Sequence, residues 1–297
     1  MKTILITGGN GFTGTAACSH FRKQGYQVIT TKRSGTALAD ELLCDLTKKE
    51  EVDQTLKKAN PDYILHLAGK NHAGDSWVDP EIFMKVNVEG TLHLLESVRR
   101  ICPKVRILII GSALEICPAL DKPNHPYGYS KAMQTSLAIA WHHFYQMNVL
   151  VVKAPNLIGP GPSTGVSALF AQKVVKGEKE GGAILEINTA SSLKTFLDVR
   201  DAVKAYEKIL DKGKAGVVYE LAGGSLCTLE ELANHYKELA EGPVIIRMRM
   251  MGEEESMEKR IEGNQLFGRY AEKWRIVPCY SLQGSVKDTL DYFRVKC

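Results

Sequence analysis

Met1-Lys2-Thr3-Ile4-Leu5-Ile6-Thr7-Gly8-Gly9-Asn10-Gly11-Phe12-Thr13-Gly14 opens the chain, and its reading governs everything that follows. Ile4, Leu5 and Ile6 form the short apolar run of a strand buried on both faces. Thr7 and Gly8 then begin a tight turn, and Gly8, Gly11 and Gly14 keep the three-residue spacing of a dinucleotide-binding loop. Each glycine has its own task. Gly8 permits the turn, Gly11 lets a pyrophosphate approach the backbone, and Gly14 lets the next helix pack on its strand. That helix is predicted over residues 13–24, with Gly25 as its stop. Its N-terminus, flanked by Phe12 and Thr13, offers unpaired N–H groups and a positive dipole end to phosphate.

Working outward, strands are expected at residues 28–31, 63–67, 106–110 and 149–153. Helices are expected at 50–59, 80–100 and 127–147. This alternation predicts an α/β fold, a Rossmann-type doubly wound parallel sheet with helices on both faces. After Lys153 the texture changes. Pro155, Gly159, Pro160, Gly161 and Pro162 must form a loop. Beyond it come helices near 166–176, 229–239 and 282–293, a β-like patch near 184–188, and a charged, Met-rich stretch over 247–260.

Bulk properties narrow the options. A net charge of +4 is spread along the 297 residues, which argues against a nucleic-acid-binding face. No run approaches the ~20 apolar residues of a membrane span, and the N-terminus reads as a core strand rather than a signal peptide. The seven cysteines are an odd count with no C-x-x-C pair. Reduced thiols in a cytoplasmic protein, with no metal site, are the expectation.

Tyr127 stands four residues before Lys131, so both side chains share one helical face. A free tyrosine, with pKa near ~10, is a poor acid–base group at neutral pH. A neighbouring ammonium favours the tyrosinate and brings that pKa toward the working range. Tyr129 lies on the same turn but has Met133, not lysine, four residues on.

With these residues the chain resembles the extended short-chain dehydrogenase/reductase family, the nucleotide-sugar epimerases, dehydratases and reductases. Further likenesses extend over nearly the whole length. Asp45-Leu46 resembles the acidic pair beside the adenine, and Leu65-His66-Leu67-Ala68-Gly69 the motif of the fourth strand. Asn87-Val88-Glu89-Gly90-Thr91 resembles the family's Asn-Val-x-Gly-Thr helix. Lys153-Ala154-Pro155-Asn156 resembles a motif that usually opens with arginine, and Asp198-Val199-Arg200-Asp201 the return toward the cofactor domain. Within the family the likeness is nearest to GDP-4-keto-6-deoxymannose reductases, through Ser76-Trp77-Val78-Asp79-Pro80 and the overall shortness.

Departures from the family pattern point to the reaction. The second strand ends Thr31-Lys32-Arg33-Ser34, where an NAD enzyme usually carries an acid for the ribose hydroxyls. Two cations suit a 2′-phosphate, so NADP(H) is predicted. Gly111-Ser112-Ala113-Leu114-Glu115 stands where dehydratases resemble Ser-Thr-Asp-Glu. Loss of the acid disfavours dehydration. Ser112 is the nearest candidate hydroxyl, although strict alignment with epimerases puts that role on Ala113. No clean match is found for the arginine that clamps the substrate diphosphate, and Lys259 and Arg260 are possible substitutes.

The resemblance implies a cofactor domain of residues 1–155 plus about 195–222, and a substrate domain of about 156–194 plus 223–297. It implies reduction of a nucleotide-activated 4-keto-6-deoxy sugar, with Tyr127 as proton donor, Lys131 as its charged partner and Ser112 on the carbonyl oxygen. Thr7, Gly8, Gly11, Phe12, Thr13, Gly14, Lys32, Arg33, Asp45, Leu46, Leu67, Ala68, Gly69 and Asn87 would surround the cofactor, together with Tyr127 and Lys131. Ser112, Glu115, Asn156 and Arg200 would meet the substrate. The family also implies a homodimer through the two long helices. A 4-epimerase holding NAD, and a non-catalytic dinucleotide-binding regulator, share the same fold motifs and stay open at this point.

Overall fold

A computed structural model of the chain describes residues 1–116, 125–187, 193–248 and 271–296. Lys259 and Arg260 lie outside the described residues. Six strands are built by the first half: β1 Thr3–Thr7, β2 Gln27–Lys32, β3 Glu41–Leu43, β4 Tyr63–His66, β5 Arg106–Ser112 and β6 Val149–Ala154. Between them lie helices α1 Phe12–Lys23, α2 Lys49–Ala59, α3 Ala73–Val78, α4 Pro80–Phe83, α5 Gly90–Ile101 and α6 Pro126–Tyr145.

The strands join one eight-stranded sheet. Its order is Ala271–Arg275, Val218–Ala222, β6, β5, β4, β1, β2, β3. The neighbours from β3 to β6, and Val218–Ala222 beside β6, all pair in parallel. The sequence runs outward in both directions from the β1/β4 pair. That makes it the switch point of a Rossmann-type doubly wound sheet, where the carboxyl ends of the strands leave a crevice for a dinucleotide. Every residue of β6 is buried, as its unbroken run Val-Leu-Val-Val-Lys-Ala suits a central strand covered on both faces.

Helix α1 begins at the glycine turn and ends as predicted. Gly25 takes φ +79°, the Tyr26 N–H donates to Phe21 O at 3.0 Å, and the Gly25 N–H donates to Arg22 O at 3.0 Å. Tyr26 then packs edge-on against Phe21, closing the end with an apolar contact. The helix expected over 80–100 is broken in its character. A π turn, Met84–Glu89, separates α4 from α5. Three strands of this sheet escaped the sequence reading, β3, Val218–Ala222 and Ala271–Arg275. β3 and Ala271–Arg275 form the edges of the sheet, where short length and charged residues are ordinary and apolar alternation is weak.

The described chain packs as two units. The first holds Met1–Ala154, Val203–Leu221 and 271–274; the second holds Pro155–Ala202, 222–248 and 275–296. The second unit has its own core. Phe170, Val174, Leu232, Tyr236, Val286 and Leu290 are buried together beneath helices Val166–Glu180, Leu229–Leu239 and Leu282–Lys296. It carries a three-stranded sheet with Lys194–Asp198 between Asn156–Ile158 and Ser225–Cys227, and a parallel pair Ala183–Ile187 with Val244–Met248.

Candidate active site

The carboxyl ends of β1, β2 and β4 open onto a cavity of about 640 Å³, within the ~300–1,000 Å³ of small-molecule sites. Gly8, Gly11, Phe12, Thr13 and Gly14 form one wall, Lys32 and Arg33 another. Asp45 and Leu46, then Leu67, Ala68 and Gly69, complete the lining from the following turns. Gly8 has φ +73°, and a Cβ there would lie 3.0 Å from the Ala68 backbone. A Cβ on Gly14 would overlap the carbonyl of Gly8. The backbone therefore closes on itself only with glycine, and α1 is left with its N-terminus facing the cavity. This cradle fits a dinucleotide diphosphate.

The sequence reading missed several lining residues: Thr31, Cys44, Lys70, Ile82 and Lys85 among them. They come from segments with no glycine motif to mark them. Thr7 lies behind the wall, buried, with its hydroxyl 2.8 Å from His66 Nδ1 and accepting from the Ala68 N–H at 3.1 Å. Asn87 also acts from behind. Its amide accepts from the Lys70 N–H at 2.8 Å and donates to Lys70 O at 3.0 Å and to Ser130 Oγ at 2.9 Å. It thereby ties the loop after β4 to helix α6. The π turn delivers this wholly buried side chain, and π turns often mark functional sites.

The two cations at the end of β2 differ. Lys32 Nζ lies 2.7 Å from Glu41 Oε2 across the β2–β3 edge. No residue spacing announced that partner. Arg33 is exposed at the cavity wall.

Tyr127, Lys131 and Ser112 are grouped by β5 and α6. They meet at the end of β5 and the first turns of α6. Pro126 starts α6, and the His125 side chain caps it by accepting from the Gly128 N–H at 2.7 Å. Its ring stacks on Tyr127 at 5.8 Å, and Phe83 meets Tyr127 edge-on at 6.2 Å. The Tyr127 hydroxyl shares a hydrogen bond with Ser112. Ser112 Oγ also accepts from the Leu114 N–H at 3.1 Å. Lys131, though 7% exposed, donates from Nζ to Ile110 O at 2.6 Å and to Gln134 Oε1.

Burial controls the charges here. It pushes the Lys131 ammonium down to about 8, against an opposing pull from Glu115. It pushes Tyr127 up to about 12, and only the hydrogen bond from Ser112 works the other way. This corrects the expectation that Lys131 would bring Tyr127 below its ordinary value: Lys131 is turned to Ile110 and Gln134, and desolvation of the phenolate wins.

Glu115, expected at the substrate, is placed otherwise. Its carboxylate is wholly buried and accepts from the Ser112 N–H at 2.8 Å and the Thr135 hydroxyl at 2.9 Å. Lys153 Nζ stands 3.5 Å from its second oxygen. The lysine that replaces the family's arginine is thus matched by an internal acid. Arg200, expected at the substrate too, belongs to the second unit. It donates from Nε and Nη2 to the two oxygens of Asp198 at 2.8 Å each, reaches Asp288 at 2.7 Å, and stacks 3.6 Å above Tyr280. Asn156, in the same unit, donates to Thr195 O at 3.2 Å.

Residues 4–222 match the model of the NAD dependent epimerase/dehydratase family. The chain belongs to that family. Its members are dinucleotide-dependent enzymes, and the first unit here carries the corresponding fold and cavity. GDP-6-deoxy-D-mannose reductase of Pseudomonas aeruginosa is 30% identical over 194 residues, 61% of this chain and 64% of that enzyme. dTDP-glucose 4,6-dehydratase of Streptomyces niveus is 30% identical over 258 residues, 77% of this chain and 75% of the relative. Among solved structures, RMD from Pseudomonas aeruginosa complexed with NADPH superposes with a TM-score of 0.78 at 23% identity, covering 100% of both chains. The UDP-glucose 4-epimerase of Thermus thermophilus in complex with NAD gives 0.77 at 20% identity, covering 98% of this chain and 99% of that one. Among the described residues no helix is long and apolar enough to cross a membrane.

Proposed function

We propose that this family member is an NADPH-dependent reductase of a nucleotide-activated 4-keto-6-deoxy sugar, working as a homodimer in the cytoplasm. The observation that carries the reading is the basic end of β2: Lys32 and Arg33 line the wall of the dinucleotide cavity, where an NAD enzyme usually carries an acid. Arg33 is exposed there and suits the 2′-phosphate of NADPH, which a reductase consumes and a 4-epimerase has no need of. Tyr127, buried beside Ser112, is the proton donor that carbonyl reduction requires.

The glycine cradle would hold the cofactor diphosphate, and Arg33 would pair with a 2′-phosphate, since Lys32 is already matched by Glu41. The cofactor, when bound, supplies the hydride. The protein's own residues do the rest. Ser112 aligns the Tyr127 hydroxyl and offers its own to the carbonyl oxygen. Tyr127 gives its proton to the developing alkoxide, and the Lys131 ammonium stabilises the tyrosinate left behind. Asn87 keeps the loop after β4 and helix α6 in register. Asn156 is the remaining candidate for a substrate contact. Dehydration is disfavoured because Ala113 and Leu114 supply no acid and the Glu115 carboxylate is committed inside the fold.

The test is NADPH oxidation with freshly made UDP-, GDP-, dTDP- and CDP-4-keto-6-deoxy sugars. Turnover with one of them supports the reading and names the nucleotide. Silence with all four, with NADPH still bound, overturns it. Interconversion of sugars without NADPH consumption would favour the epimerase.

A further inference from the structure

Behind the cavity wall, five polar side chains form a continuous buried chain from β1 to α6. Thr7 Oγ1 is 2.8 Å from His66 Nδ1, and His66 Nε2 is 3.0 Å from Thr91 Oγ1. Gln134 Nε2 is 2.8 Å from the same hydroxyl oxygen, and Gln134 Oε1 receives Lys131 Nζ. Thr7, His66, Thr91 and Gln134 are each at most 1% exposed.

Counting protons gives every link a direction. An ammonium can only donate, so the Gln134 carbonyl must face Lys131 and its NH₂ must face Thr91. Thr91 lies 2.7 Å from Asn87 O, a backbone carbonyl that can only accept, so the single Thr91 proton goes there. Its oxygen therefore accepts from both Gln134 and His66. His66 must carry its proton on Nε2, leaving Nδ1 to accept from Thr7. The Thr7 oxygen in turn accepts from the Ala68 N–H at 3.1 Å, and Ala68 lines the cavity. No group in this chain can be reversed without setting donor against donor or acceptor against acceptor. Burial agrees with the assignment, holding His66 neutral with its pKa down at about 3.

We propose that Gln134 is a positioning residue for Lys131, oriented by a one-directional hydrogen-bond chain through Thr91, His66 and Thr7 to the cavity wall. Lys131 is thereby gripped by two uncharged acceptors, Ile110 O and Gln134 Oε1, which fix the ammonium without a carboxylate in contact. This rests on the reading of Lys131 as the charged partner of Tyr127, but its test needs no substrate.

Two NMR measurements on the full-length protein decide it. Imidazole ¹⁵N shifts should report His66 as the neutral Nε2–H form throughout pH 5–9. The Lys131 ammonium, assigned by its loss in Lys131→Arg, should titrate at least tenfold less acidically in Gln134→Glu and more acidically in Gln134→Leu. Thr91→Val should move it in the direction of Gln134→Leu, and Thr91→Ser should restore the wild-type value. A purely structural role would alter melting temperature and leave the lysine titration in place. The proposal is overturned by an Nδ1–H or charged His66, which needs no variant to observe. It is overturned equally by a Lys131 titration unchanged in both Gln134 variants. Failure of every sugar substrate would leave these readouts intact.

Discussion

Lys131 in the first unit and Arg200 in the second are both cations with acceptors drawn closely around them, but the acceptors differ in charge. Lys131 meets a backbone carbonyl and an amide, and burial lowers its pKa to about 8. Arg200 meets two carboxylates and an aromatic face, and its hydrogen bonds to Asp198 raise its pKa still further. The first cation has no carboxylate in hydrogen-bond contact, only the through-space pull of Glu115, and is better placed to answer a new negative charge nearby. The second is already answered. It joins the strand end at Asp198 to the C-terminal helix, where Ser285 also donates to Asp198 at 2.6 Å. A positive residue near a motif is thus either a reserve of charge or a brace, and the charge of its neighbours separates the two.

The largest effect should follow from removing the proton donor that Lys131 serves. Tyr127→Phe should lower turnover by about 10³-fold with NADPH affinity retained, the scale expected for a lost general acid; full turnover in that variant would sink the mechanism. Lys131→Met should cost about 10²-fold in the same assay, whereas Arg200→Met should leave kcat within a few-fold.

Acidity offers a second way to break the comparison. Because the Lys131 pKa is depressed, its charged form exists below about 8 and is lost as pH rises through that value. Turnover that depends on the ammonium should fall on the alkaline side of pH 8. The stability sign is the reverse. Holding a charged lysine in the core costs most below pH 8, and that cost fades as pH rises toward the ordinary lysine value. A rate profile flat to pH 10 would remove Lys131 from the reaction. Arg200 should produce no such limb.

Stability should separate the two in the opposite sense. Arg200→Met leaves the buried Asp198 carboxylate with one partner fewer. Allowing for solvent at the partly exposed guanidinium, a loss of about 1–3 kcal/mol in denaturant unfolding is expected. The smallest effect belongs to a cation at the cavity wall. Arg33→Ser should weaken NADP⁺ binding by about tenfold in direct titration, near the ~1.4 kcal/mol of one charge-assisted contact, and leave NAD⁺ binding almost unchanged. Equal losses for both would refute the 2′-phosphate assignment.

What could be read from the sequence divides along the same line. The cradle from Gly8 to Gly14, the strand ends and the Tyr127/Lys131 pair were legible because each is a local pattern. Turn geometry and helical spacing fix such neighbours within a few residues. The settings of Glu115, Lys32 and Arg200 were not legible, because each depends on a partner supplied through space: Thr135 and Lys153, Glu41, Asp288. Gln134 was missed for the same reason. Nothing beside it in the chain marks it, and its meaning appears only when α5 and α6 bring Thr91 and Lys131 to it. The pKa of Tyr127 was misjudged in sign because spacing reports which groups are close, not how much water has left.

The π turn at Met84–Glu89 has a consequence for how this protein tolerates insertions and deletions. Such a turn takes more residues per revolution than an α-helix, so it acts as a phase shifter between the helical segments on either side. Upstream, the helix meets Tyr127 through Phe83; downstream, Thr91, Leu94, Leu95 and Val98 are among its buried residues. Removing one residue from the turn would rotate one segment against the other by roughly 100°, carrying either Phe83 or Thr91 off its face. A reading frame kept perfectly intact could therefore still abolish the site, through the loss of a single amino acid and whether or not its own side chain faces the cavity.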